Sequence, residues 1–88
     1  MGFQFDPEKA DDNLKKHKVS FADAEGVFYD DFAIHQEDHD SEAESRFFAI
    51  GMGSAGHILV VVYTHRGDQV RLISARRAVR SEVKSYEG

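Results

Sequence analysis

The sequence contains no cysteine. Disulfides, thiolate-bound zinc and cysteine nucleophiles are therefore excluded. It has no apolar run approaching the ~18 residues that a membrane span requires. The first residues, Met1-Gly2-Phe3-Gln4-Phe5-Asp6, lack the basic and apolar regions of a secretion signal, so a cytoplasmic protein is expected. Internal repeats, linkers and low-complexity tracts are also missing. One further absence is local: residues 19–45 hold no Lys or Arg.

Those same residues carry nine acids: Asp23, Glu25, Asp30, Asp31, Glu37, Asp38, Asp40, Glu42 and Glu44. They account for the acidic total, a formal charge of −5 over 88 residues. Residues 1–18 are neutral. Residues 57–88 are basic, with Arg66, Arg71, Arg76, Arg77, Arg80 and Lys84 against Asp68, Glu82 and Glu87. A net negative charge thus leaves room for a basic patch and does not exclude nucleic acid. The length predicts one domain over 1–88. A chain this short buries only about 60–65% of its unfolded surface, so its core is thin and a partner covering more apolar surface would help it. At 41% hydrophobic residues, the composition suits a globular fold.

Residues 3–5 alternate as a short strand. Asp6 and Pro7 form a helix start, a capping side chain followed by a ring suited to the first helical position. The helix is expected over about residues 7–18, with Ala10, Leu14 and His17 near one face. Ser20 opens a second helix, with Asp23 three positions on, Val19 packing on Ala24, and an apolar face of Phe21, Ala24, Val27 and Phe28. Gly26 weakens this helix and Asp30-Asp31 end it. Strands are expected at 32–37, 46–50, 57–64 and 69–74, with a polar loop at 39–44, a glycine-rich turn at 51–56 and a hairpin turn at 66–68. A final helix is expected over 75–87, with Val79, Val83 and Tyr86 inward and a basic stripe of Arg76, Arg80 and Lys84. Short connections make the meander antiparallel. The architecture is α+β, with an antiparallel sheet of about four strands, two N-terminal helices and a C-terminal helix.

Four motifs have simpler explanations than the chemistry they spell. Gly51, Gly53 and Gly56 match G-x-G-x-x-G, but a strand follows where a dinucleotide fold needs a helix. His35 and His39 flank acids, yet Gln36 breaks H-E-x-x-H and the segment is not helical, so a specific metal site is not expected. Arg66-Gly67-Asp68 reads as a turn. Ser54 lacks the strand-to-helix elbow of a hydrolase nucleophile.

The remaining chemistry is cationic: Lys9, Lys16, His17, Arg46, Arg71, Arg76, Arg77 and Arg80, with Glu82 and Tyr86. Converging cations can hold phosphates and stabilise a pentavalent phosphorus. A metal-free ribonuclease further needs only a base for the 2′-hydroxyl and an acid for the leaving 5′-oxygen. Histidine titrates near neutrality, so His17 is a candidate for proton transfer. A Lys, Tyr or Glu with a shifted pKa could serve instead.

The strings Phe5-Asp6-Pro7-Glu8-Lys9 and Asn13-Leu14-Lys15-Lys16-His17-Lys18-Val19-Ser20-Phe21, with Ala24, resemble the N-terminal signature of the BrnT toxin family. Arg46-Phe47, Ile50-Gly51 and Val60-Val61-Val62-Tyr63-Thr64 continue the resemblance. Arg71-Leu72-Ile73-Ser74-Ala75-Arg76-Arg77-Ala78 and Tyr86-Glu87 complete it, in register over nearly the whole chain. The departure is Thr64-His65, where an acidic residue is expected before Arg66. The resemblance implies a small RelE-like domain that acts as the toxin of a type II toxin–antitoxin system, an endoribonuclease that arrests translation. It also implies a BrnA-type antitoxin with a ribbon-helix-helix DNA-binding part, a complex of two toxins and two antitoxins, and operator DNA bound only through the antitoxin. No cofactor, metal or membrane partner is implied. Carried onto this chain, the resemblance makes Arg71 with Arg76 or Arg77 the holders of the scissile phosphate and His17 the acid–base candidate. Lys9, Lys16, Ser74 and Arg80 would bind RNA. The acidic residues 19–45 are expected to lie away from that surface. The competing expectation is a non-catalytic interaction domain that acts with a DNA-binding partner in autoregulation.

Overall fold

Asp6 starts the first helix as its place before Pro7 predicts. In the computed structural model, which describes residues 2–39 and 45–88, its Oδ1 accepts the Glu8 N–H at 2.9 Å. Helix α1 runs Pro7–His17, with Lys15, Lys16 and His17 at the dipole's negative end. Lys18 closes it in the left-handed region at φ 61°. Ser20 Oγ accepts the Asp23 N–H at 3.0 Å and so opens α2, Phe21–Glu25. The chain then tightens into a 3₁₀ turn, Gly26–Tyr29. Gly26 does more here than weaken a helix: a Cβ on it would lie 2.5 Å from the Ser54 backbone nitrogen. The glycine-rich turn docks at this point, where the Ser54 N–H donates to the Asp23 carbonyl at 3.1 Å and the Ala55 N–H to Asp23 Oδ1 at 2.7 Å. Close packing at Gly51 and Gly53, where a Cβ would lie 2.9 Å from Val27 and 2.5 Å from Asp23 Oδ1, and a φ of 90° at Gly56 account for the glycine spacing that spells a nucleotide motif.

The sheet comprises β1 (Gly2–Gln4), β2 (Ile34–Asp38), β3 (Arg46–Met52), β4 (Ile58–Arg66) and β5 (Gln69–Arg77), in the order β1-β5-β4-β3-β2. Strands β2 to β5 form the expected antiparallel meander. The N-terminal strand adds a fifth member by pairing in parallel with β5, Phe3 opposite Val70. Of the loop expected at 39–44, residues 40–44 lie outside the described residues. Gly67, at φ 61°, turns the β4–β5 hairpin.

One face of the sheet carries the main core. Ala49, Leu59, Val61, Tyr63, Val70, Leu72 and Ala75 pack there against Val19, Phe21, Ala24 and Val27. The inward side of α1 matches the one predicted at Ala10, which packs on the core, and differs at Leu14. Leu14 is half exposed, and the buried position is Asn13, at 6% exposure. Its amide joins the helix to the sheet: Nδ2 donates to the Ala75 and Val19 carbonyls at 2.8 and 2.9 Å, and Oδ1 accepts the Ala75 N–H at 3.0 Å. β1 pairs with β5 only as far as Arg71. Asn13 supplies hydrogen bonds that a further strand residue would have made.

The C-terminal helix α3 spans Arg80–Glu87, five residues later than the expected start at 75. Residues 75–77 stay extended because Ala75, Arg76 and Arg77 pair with Val61, Val60 and Leu59 of the longer β4. Arg76 therefore lies on a strand, and no helical stripe joins it to Arg80 and Lys84. Val79, expected inward, is 57% exposed. Its N–H donates to Glu82 Oε1 at 2.8 Å, which caps α3 from within.

Candidate functional site

An irregularity in β5 decides which cations share a face. Tyr63 pairs with Leu72, but the next residue back, Val62, pairs with Ser74, so Ile73 is an extra residue in a β-bulge. Arg71 and Arg76 differ by five positions and would face opposite sides of a straight strand. The bulge restores their phase: they lie opposite Thr64 and Val60, which share a face of the unbroken β4. This is the face away from α1 and α2. The helix start expected at 75 is not what brings the two arginines together.

Three cross-strand rows define this face. Gln4, Arg71 and Thr64 lie side by side, with Asp38 and Arg46 paired toward the opposite edge. Ser74, Val62, Phe48 and Gln36 form the middle row. Arg76, Val60, Ile50 and Ile34 form the third. Arg71 is aimed by a short relay. Gln4 Nε2 donates to Gln69 Oε1 at 2.6 Å, which turns Gln4 Oε1 to accept from Arg71 Nη1 at 3.0 Å. A pocket of about 200 Å³ lies lower on the face, lined by Asp38, Phe48, Val60, Val62, Arg76 and Glu82.

The charges in that pocket are not those expected. Glu82 reaches down from α3 and pairs with Arg76 through both carboxylate oxygens, each 2.8 Å from a guanidinium nitrogen. The hydrogen bonds from Arg76 hold Glu82 below the usual carboxylate value, and the same bonds raise Arg76. Asp38 belongs to the acidic residues 19–45 and stands in the pocket with Arg76. The expectation that those acids avoid the cationic face thus fails at Asp38. A second acid from the same stretch anchors α3. Asp30 Oδ2 accepts from Tyr86 Oη at 2.7 Å and from the Met52 N–H at 2.8 Å. Burial pushes Asp30 up, but the bonds from Met52, Tyr86 and Phe32 outweigh it and the net shift is down.

The remaining predicted residues fall into two groups. Lys9, Lys16, His17 and Ser74 meet in a separate cleft of about 200 Å³, together with Asp12, Asn13 and the bulged Ile73. Ser74 also belongs to the middle row of the open face, so it stands where the cleft and the face adjoin. Arg77 is exposed and lies opposite Leu59, on the core side of the sheet's end, out of phase with Arg76. Arg80 is exposed at the start of α3.

The model of a family described as "Ribonuclease toxin, BrnT, of type II toxin-antitoxin system" matches residues 5–82. The chain belongs to the BrnT family. A solved structure it resembles is the 1.1 Å crystal structure of the ribonuclease toxin BrnT from Brucella abortus. The two are 26% identical, with a TM-score of 0.67, over 91% of this chain and 99% of that one. No curated protein gives a significant match. The BrnT span includes every predicted site residue, from Lys9 to Arg80, and stops within α3.

Sequence reasoning missed two features of this BrnT chain. Asn13 gave no signal beyond being an amide inside a helix. The other is a ring cluster on the core face. His35 Nδ1 lies 2.8 Å from Tyr63 Oη, with Phe28, Phe47 and His65 packed around them. Burial, and then the nearby His65, hold His35 below its ordinary pKa, while burial pushes Tyr63 up. His35 thus makes ring contacts from β2 with part of its surface left exposed. Among the described residues, no group of three or more His, Asp or Glu side chains could hold a metal, and no helix is long and apolar enough to cross a membrane.

Proposed function

We propose that this chain is a metal-independent endoribonuclease that arrests translation in the cytoplasm. RNA lies across β5, with Ser74 between the α1 cleft and the open face. Lys9 and Lys16 hold phosphates on the cleft side, Arg71 holds the scissile phosphate, and Arg76 and Arg80 hold the strand beyond it. Arg77, out of phase with Arg76, takes no part in the phosphate clamp. His17 removes the proton of the 2′-hydroxyl. The 2′-oxygen attacks phosphorus, the bond to the 5′-oxygen breaks, and that oxygen leaves as a hydroxyl after protonation. The products are a 2′,3′-cyclic phosphate and a 5′-hydroxyl end. Fixed guanidinium donors stabilise the charge that develops on the phosphoryl oxygens.

The observation that carries this proposal is the bulge at Ile73. It puts Arg71 in phase with Arg76 while Ser74 joins them to the cleft of Lys9, Lys16 and His17. Membership of a ribonuclease-toxin family supports the reaction class. The partner proposed is a BrnA-type antitoxin, in a complex of two toxins and two antitoxins that contacts operator DNA through the antitoxin.

The test is incubation of purified protein with RNA, alone and with ribosomes, in the presence of a chelator. Cleavage with cyclic phosphate ends supports the proposal, and intact RNA in both settings overturns it. One observation favours the competing reading of a non-catalytic interaction domain: Glu82 already occupies Arg76 with a two-point ion pair. Under that reading, Arg71→Ala and His17→Ala leave toxicity unchanged.

A further inference from the structure

We infer that the outer edge of β2, with Phe32 two residues before it, is a docking edge on which an extended, basic segment of the antitoxin pairs as a sixth strand. This rests on the proposal that the partner is an antitoxin. The sheet ends at β2, and residues 34–37 make no backbone hydrogen bond to a described residue outside β3. An edge strand presents a row of unpaired N–H and C=O groups, which proteins blunt with bulges, proline or lysine. β2 has none of these. Its five pairs with β3 run without a break, from Ile34 opposite Ile50 to Asp38 opposite Arg46. His35, Gln36 and Glu37 are exposed, so neither face of the strand is fully covered. The other edge offers less: β1 is three residues long, and its Gln4 is engaged with Gln69 and Arg71.

Charge decides the occupant. Residues 19–39 hold six acids and no Lys or Arg. Asp23 and Asp30 are bonded within the fold. Asp31 and Glu37 are exposed and make no hydrogen bond or ion pair among the described residues. One stands just before β2 and the other within it. RNA is repelled by these carboxylates, and so is the β2 edge of a second copy, which brings the same acids against them. Opposite charges across a strand pair stabilise it and like charges oppose it, so the edge selects a segment that carries Lys or Arg. Main-chain bonds give such an added strand its affinity, and its side chains give specificity. Phe32, at 77% exposure, supplies an aromatic anchor of the kind that carries binding energy at interfaces. β2 lies three strands from β5, about 14 Å at ~4.8 Å per strand, so the docking edge is separate from the proposed RNA path.

Hydrogen exchange at backbone amides, in the chain alone and with the BrnA-type antitoxin, tests this together with antitoxin affinity. The antitoxin should slow exchange in β2 more than in β1. Asp31→Lys combined with Glu37→Lys should weaken the complex about 10- to 100-fold, the effect of like charges set across an interface. Phe32→Ala should weaken it about 10-fold, as the loss of an aromatic anchor. Both variants should keep the wild-type melting temperature and the wild-type rate of RNA cleavage. Unchanged exchange in β2 at saturating antitoxin, or unchanged affinity in the charge-reversed variant, overturns the docking edge while the antitoxin proposal stands. Protection of β2 in the concentrated chain alone, or by RNA in place of the antitoxin, marks a different occupant and also overturns it. If the antitoxin does not bind the wild type, the partner proposal fails and the docking edge with it. If the antitoxin protects β2 but RNA stays intact, the docking edge stands and the ribonuclease proposal fails.

Discussion

Asn13 does at the residue scale what a longer β1 would otherwise do. Its buried amide satisfies both backbone groups of Ala75 and the Val19 carbonyl. Replacing it with Ala leaves an N–H and two carbonyls buried without partners. The expected cost is about 2–4 kcal/mol, read as a lower urea midpoint at unchanged m value. A shift under about 0.5 kcal/mol, the scale of an ordinary surface substitution, would show that α1 is held otherwise. Two titrating side chains give a pH dependence. His35 is held below the ordinary value of 6.5, so the unfolded chain takes up its proton first. Stability is full above about that pH and declines as pH falls below it. Glu82 is held below 4.5, so its contribution is present above that value and lost as pH falls through the lower folded one. Its pair with Arg76 is partly exposed and contributes under about 1 kcal/mol. Melting temperature followed from pH 8 to pH 3 should show both declines. His35→Gln should remove the upper one and Glu82→Gln the lower. A melting temperature flat between pH 7 and pH 5 would contradict the His35 assignment.

At the scale of elements, what was legible in the sequence followed from local chemistry. Asp6-Pro7 and Ser20 marked helix starts because a capping side chain acts on backbone a few residues away. The β-branched run of β4 marked a strand whatever its neighbours. What the sequence did not show depends on distant pairing. Residues 75–77 have helix-forming neighbours, yet β4 holds them extended. Ile73 is an ordinary strand residue, and its bulge exists only against the register of Val62 and Tyr63. The same blindness split the candidate site: the strings that carry Lys9, Lys16 and His17 did not reveal that the arginines face elsewhere. α3 has no buried residue, and Tyr86–Asp30 and Glu82–Arg76 tie it down. It should exchange its amide hydrogens faster than α1, and Tyr86→Phe should speed that exchange further. Slower exchange in α3 than in α1 would contradict this description. The glycine turn gives the opposite expectation. Gly26→Ala forces a Cβ against the Ser54 backbone, and the expected loss is about 1–3 kcal/mol, measured by thermal unfolding.

The whole molecule separates two properties that its net charge of −5 combines. Acids from residues 19–45 support the fold at Asp30, and one of them, Asp38, enters the open face. Arg71, aimed by Gln4 and Gln69, stands there with its guanidinium bonded to an amide oxygen and not to an acid among the described residues. The central claim is that this face and the adjoining cleft cut RNA, and Arg71 is the side chain on which it most depends. The most direct measurement is single-turnover cleavage of a defined RNA, with a chelator present, by the wild-type protein and by Arg71→Ala. The wild type should yield 2′,3′-cyclic phosphate ends. Arg71→Ala should be slower by about 10²–10³-fold, the loss of one transition-state donor, with an unchanged melting temperature. Equal rates for the two proteins, or RNA left intact by the wild type, would contradict the account.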